Sequence, residues 1–240
     1  MSIQAENYWF FVIFITLAII AFLIFYYLKE DKFKYLRFSF LCVVLLIGHI
    51  ALPFYDVGIF PNLVYDPLFY LLLFLIGMTF TFLYINKIEQ KSFQEIGWKS
   101  SNLLKEIVIG LVFGVILLLF AAIIMLPFQT TNLENISFFP EKIFTVIFFA
   151  LGAIYEECLF RGFLQEELEK EFEITKVIII QALAFLAINL FYFPFNSLGL
   201  INYLVMFIMA LLLGFLAYKY SLFCSATVHV FFVLFAGLLT

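Results

Sequence analysis

Charged residues are scarce in this sequence: 17 acidic and 13 basic side chains among 240, or 12%. A soluble domain carries about 25%, so this chain could not cover a folded surface that faces water. The basic residues are scattered and the net charge is only −4, which excludes a basic face for nucleic acid. Histidine is scarcer still, at His49 and His229 alone. A zinc site, which usually needs three protein ligands including histidines, could draw only on His229 and two nearby glutamates, so neither a metal nor another cofactor is expected. The cysteines Cys42, Cys158 and Cys224 stand singly in apolar runs; they make no disulfide framework and read as small core residues. No internal repeat is visible, so the paired broken helices of a secondary transporter have no counterpart. The first apolar run lacks a basic leading segment and a cleavage site, and reads as a first span rather than a removed signal.

What the chain has in abundance is apolar side chain, at 66%, gathered in long runs without strand-like alternation. A helix needs about 20 apolar residues to cross a hydrocarbon core about 30 Å thick. Inside lipid every backbone polar group must be satisfied within the segment, which leaves helices for runs of this kind. The runs are Tyr8 to Leu28, Phe38 to Leu52, Pro67 to Ile85, Leu104 to Leu126, Ile143 to Leu164, Val177 to Phe193, Leu198 to Tyr218 and Leu222 to Leu239. They predict an all-α, polytopic membrane helix bundle of about eight transmembrane helices.

The cations orient it. Lys29, Lys32, Lys34 and Arg37 lie between the first two spans, and Lys87, Lys91, Lys99 and Lys105 between the third and fourth. Lys170 and Lys176 follow the fifth, Lys219 the seventh, and the loops starting at Pro53 and Pro127 carry none. Because lysine and arginine collect on the cytoplasmic side, those alternate loops face the cytoplasm of a multi-pass protein in the cytoplasmic membrane. Both termini then face outward. Lys142 and Arg161 are the exceptions.

Arg161 belongs to the one constellation that carries chemistry. The fifth span contains Glu156, Glu157 and Arg161, and ionisable residues inside a span are costly unless paired or hydrated. Glu157 and Arg161 are four apart, with the acid on the N-terminal side, the favourable order for an ion pair on one helical face. Glu156 points about a quarter-turn away; its own position four on is Phe160. Glu157 therefore reads as the neutralised structural acid and Glu156 as the acid kept for general-base chemistry. The plainer alternative is that Arg161 snorkels to the cytoplasmic edge, with both acids in the same interfacial cluster. His229 in the eighth span and Asn189 in the sixth lie at comparable depth and could converge with Glu156 on one pocket open to the cytoplasm. His49, near the outer end of its span, reads as a helix-to-helix hydrogen-bonding residue.

These residues resemble a known family. Glu156-Glu157-x-x-Phe160-Arg161-Gly162-x-Leu164 is similar to the first motif of the CAAX-protease and bacteriocin-processing (CPBP, or Abi) intramembrane proteases. Phe207 to His229 resembles the family's last motif, through Leu213-Gly214, Tyr218, Ser221-Leu222 and the histidine. Ser92-Phe93-Gln94-Glu95-Ile96-Gly97 is similar to the short amphipathic segment before the family's core. The resemblance divides the chain into residues 1–91, three N-terminal spans, and 92–240, a five-span protease-like core. It implies a hydrolase: a glutamate-dependent endopeptidase with Glu156 as base, Glu157 and Arg161 assisting, and His229 as oxyanion donor. Two positions depart from the pattern. The second motif's phenylalanine-x-x-x-histidine is here Phe185 and Asn189, and the asparagine four after the last histidine is Val233. Asn189 can hold a water but cannot accept its proton.

Two functions follow. One is an intramembrane endopeptidase acting on a peptide or protein at the bilayer, lipidated or not. The other is a catalytically impaired member that binds and regulates a membrane partner. The topology is directly testable. In a cysteine-free background, an impermeant thiol reagent applied to intact cells should label Val57→Cys and spare Lys91→Cys; the opposite pattern overturns the orientation.

Overall fold

In a computed structural model of the chain, the residues described are 67–125, 150–189 and 196–239, with most of 16–42. Most of the expected second span, His49, Lys142 and the loops starting at Pro53 and Pro127 lie outside them. Regular structure among the described residues is helical, with no strand among them. Helix α1 spans Pro67–Leu83 and runs on into a π-helical turn, Tyr84–Ile88. Helix α2 is Leu103–Met125. Helix α3 covers 150–169, α-helical over 150–157, π-helical over Cys158–Leu164, and α-helical again over Gln165–Glu169. Helices α4, α5 and α6 are Ile174–Ile188, Ser197–Lys219 and Leu222–Leu239. Within α2 and α5, Leu103–Ile124 and Ser197–Lys219 are long and apolar enough to cross a bilayer. The sixth expected span was to reach Phe193, whereas α4 ends at Ile188 and Asn189 falls in the turn after it. Asparagine competes for backbone hydrogen bonds and so favours helix ends over helix interiors.

The chain divides into two compact units: Met1–Lys91 with Ile188–Tyr192, and Ser92–Ala187 with Phe193–Thr240. In the first, Arg37 is buried and forks onto Glu89, Nε to Oε1 at 2.8 Å and Nη2 to Oε2 at 2.9 Å. Its Nη1 donates to the carbonyls of Leu28 and Glu30. Burial works against the Arg37 charge, but the hydrogen bond and opposite charge of Glu89 outweigh it and hold the guanidinium pKa above its ordinary value. Two segments that the cation alternation places on one side of the membrane are joined by this bidentate pair.

In the second unit, α6 packs most extensively against α2 and then α5, with a smaller contact to the π-helical stretch of α3. One face of α2 is buried at Glu106, Gly110, Gly114, Leu117 and Ala121, steps of four, four, three and four residues. The opposite face, including Leu104, Val112, Leu119 and Ile123, is exposed and apolar, as suits lipid. Glycines let the backbones close. A Cβ on Gly110 would stand 2.7 Å from the Thr227 Cβ and 2.8 Å from the Cys224 carbonyl oxygen, and one on Gly114 would stand 2.8 Å from the Phe231 ring. This is the small-xxx-small contact by which membrane helices approach where no hydrophobic effect drives them together.

Caps define the ends. Asn196 Oδ1 accepts from the Gly199 N–H to start α5, and Asn102 Oδ1 from the Lys105 N–H to start α2. At α6, Ser221 Oγ accepts from the Cys224 N–H and donates to the buried Glu106. Ahead of α2, Ser92 and Glu95 form a reciprocal capping box. Five residues on, Gly97 at φ +91° closes that single turn, with its N–H on the Gln94 carbonyl and the Trp98 N–H on the Phe93 carbonyl. This is a Schellman ending, in which glycine takes the left-handed position.

The glycine seam makes a falsifiable claim. Gly110→Ala gains about 1 kcal/mol of helix propensity, but its methyl meets a backbone oxygen, and overpacking costs about 1–3 kcal/mol. Thermal unfolding in detergent should therefore show Gly110→Ala destabilised while Leu104→Ala on the exposed face stays near wild type. A stabilised Gly110→Ala would mean the seam is loose.

Candidate active site

The site is built on α3 and α6. From Cys158 the turns of α3 widen, and the Gln165 N–H bonds back to the Phe160 carbonyl, five residues away. Such π stretches are rare and often mark functional sites. Gly162 lets the widened helix seat closely, because a Cβ there would lie 2.9 Å from the Ile96 carbonyl oxygen and 3.3 Å from Leu222. The one-turn segment 92–98 thus braces this stretch. Its Trp98 indole donates to Cys158 Sγ at 3.1 Å and meets the Phe223 ring edge-on at 4.7 Å between centroids.

Glu157 is fully buried, and three donors converge on it. Arg161 Nη1 reaches Oε1 at 2.9 Å, Ser225 Oγ donates to Oε2, and His229 Nδ1 stands 2.8 Å from Oε1. Ser225 and His229 are four apart on α6 and so share the face turned to α3. The other ring nitrogen of His229, Nε2, lies 3.8 Å from Glu156 Oε2. That is too long for a direct hydrogen bond, and a polar gap of this size invites a bridging water.

Phe185 of α4 closes the side of the site. Its ring lies 4.5 Å from the Arg161 guanidinium carbon and is edge-on to both Phe160 at 5.4 Å and His229 at 5.8 Å. A desolvated cation over an aromatic face gains about 2 kcal/mol, so Phe185 helps fix Arg161. Arg161 has a fully buried side chain and is held by protein groups, which rules out the snorkelling alternative.

Of the residues singled out in the sequence, the structure brings Glu156, Glu157, Arg161 and His229 together. Asn189 is buried in the turn after α4 and belongs with the first unit. Val233 is one turn beyond His229 on α6 and offers no polar atom. Ser225 was not anticipated, although a hydroxyl four residues before the one histidine of an apolar helix marks the same face. Among the described residues, no group of three or more histidine, cysteine, aspartate or glutamate side chains could hold a metal ion.

Residues 138–235 match the model of the family described as type II CAAX prenyl endopeptidase, Rce1-like. The match covers every described residue of α3 to α5 and α6 as far as Phe235, including each residue of the site. No curated protein and no solved structure matches the chain. Across this region the chain is similar to the CAAX-protease family, and it is a helical membrane protein.

Glu157 and Glu156 should behave differently when neutralised. Glu157→Gln strands the Arg161 charge in an apolar interior, and breaking a buried pair from one side costs about 3–5 kcal/mol. Thermal unfolding in lipid nanodiscs should show a large loss for Glu157→Gln and a small one for Glu156→Gln. Equal losses would contradict the assignment of Glu157 as the structural acid.

Proposed function

We propose that the protein is an intramembrane endopeptidase in which Glu156 and His229 activate a water against a peptide bond. The observation that carries this reading is the chain of contacts Glu156–His229–Glu157–Arg161. Glu157 accepts a hydrogen bond at His229 Nδ1, which fixes the ring and turns Nε2 toward Glu156. Charge balance then limits the protonation states. Arg161 offsets the Glu157 carboxylate, so in this reading the Glu156–His229 pair holds the one further proton that acid–base hydrolysis needs.

With that proton on Nε2, Glu156 is an ionised base and His229 a hydrogen-bond donor, the two roles that hydrolysis needs. Glu156 takes a proton from water as its oxygen attacks the carbonyl carbon. His229 Nε2–H faces the developing oxyanion, and the proton held by Glu156 passes to the leaving amine. The family match supports a peptide or prenylated protein substrate at the membrane, and the alternation of cations favours its entry from the cytoplasmic side.

Val233 supports a second reading. Where the resemblance implies an asparagine donor it contributes nothing, and loss of one oxyanion donor costs on the order of 10²–10³ in rate. A slow or silent enzyme of this architecture would act by binding a membrane partner.

Cleavage of a fluorogenic peptide library, prenylated and unmodified, by purified protein in lipid separates the two. A peptidase predicts activity that Glu156→Gln abolishes, and a rise for Val233→Asn of about 10²–10³ from an added oxyanion donor. No cleavage by the native protein or by Val233→Asn, both folded, would sink the peptidase reading. The binding reading predicts that Glu156→Gln leaves the cellular effect intact.

A further inference from the structure

Beyond Glu157 and Arg161, the same face of α3 continues with Gln165 and Glu169, each four residues further on. Gln165 is buried, and its Nε2 donates to Glu169 Oε1 and to the Gly214 carbonyl of α5, both at 3.2 Å. Glu169 is exposed. Opposite stands Gln181 of α4, fully buried, with Nε2 donating to the Ala210 carbonyl at 2.9 Å. Arg161 Nη2 reaches the same carbonyl at 3.5 Å. Gly214 makes the room, since a Cβ there would overlap Gln181 Nε2 and stand 3.3 Å from Gln165 Oε1.

Three buried atoms of this cluster have no hydrogen-bond partner in the protein: Arg161 Nε, Gln165 Oε1 and Gln181 Oε1. A cluster built only to lock helices together would satisfy its polar atoms internally. One donor and two acceptors are the complement of water, which typically makes about three bonds when buried. The Arg161 charge is already balanced by Glu157 and the two amides are neutral, so the fitting ligand is small, uncharged and able both to donate and to accept.

We propose that Arg161, Gln165 and Gln181 form a water-binding site inside the bundle, and that it supplies the reacting water from the exposed Glu169 end of α3 to Glu156 and His229. The supply role rests on the peptidase reading; the water site does not. Hydrolysis among apolar helices consumes one water per turnover, and a polar ladder four residues per rung from an exposed carboxylate to the site is a path by which it is replaced.

Radiolytic footprinting of the full-length protein in lipid nanodiscs tests the site without any assay of activity, because bound water yields hydroxyl radicals that mark the side chains beside it. Phe185, stacked on Arg161, and Leu213, next to Gly214, should be modified several-fold faster than Phe163 and Leu117, which are equally buried. In Gln165→Leu/Gln181→Leu the excess should vanish; Gln165→Met/Gln181→Met serves if the leucine pair unfolds. Equal rates in the native protein would overturn the water site. Under the supply role the same variants should lower kcat by about tenfold or more with KM unchanged, as expected when a reactant is no longer positioned. Lost labelling with unchanged kcat would overturn the supply role. Labelling without cleavage by either the native protein or Val233→Asn would overturn the peptidase reading, and the supply role with it, while leaving the water site standing.

Discussion

The carboxylate of Glu157 is the point on which the second unit depends. A charge buried among apolar helices must be neutralised, and its lone pairs must be occupied, or the interior will not tolerate it. Arg161 supplies the counter-charge from the same helix, while Ser225 and His229 supply hydrogen bonds from α6. Because these donors come from two helices, satisfying Glu157 also fixes how α3 faces α6. The Arg161 guanidinium in turn lies on Phe185 and reaches the Ala210 carbonyl, tying in α4 and α5. A single desolvated acid thereby recruits four helices.

The remaining packing brings those helices close enough for such bonds to form. Gly110 and Gly114 let α2 close on α6, Gly162 lets the widened turns of α3 meet the segment 92–98, and Gly214 admits the Gln181 amide. In each case the missing methyl matters more than backbone freedom. Helix contacts in lipid depend on close van der Waals approach and interhelical hydrogen bonds, and both are lost over fractions of an ångström. The chemistry that such packing permits is the orientation of one imidazole, with one nitrogen on Glu157 and the other toward Glu156.

The helical class, the positions of α2, α5 and α6, and the Glu157–Arg161 pair were legible because each depends on local sequence. Apolar runs without alternation and the four-residue spacing of opposite charges need no knowledge of neighbours. The segment from Ser92 to Gly97 stood out only as similar to an amphipathic stretch, and the structure makes it a single turn capped by Ser92 with Glu95 and closed at Gly97. Asn189 was misplaced inside a span because hydropathy continues through Leu190 to Phe193, and an apolar run does not show where its helix stops.

The sequence by itself determined that this chain is a bundle of apolar helices, and that one of them carries acids needing a partner. The tertiary structure alone decided the partners beyond Arg161. The π-helical turns of α3, the contact of His229 with both glutamates, and the meeting of Gln165 and Gln181 around Gly214 all arise between segments 16 to 72 residues apart or from a local departure from the 3.6-residue repeat. A buried polar group can be read from one strand of text. Its satisfaction is a property of the space it is folded into.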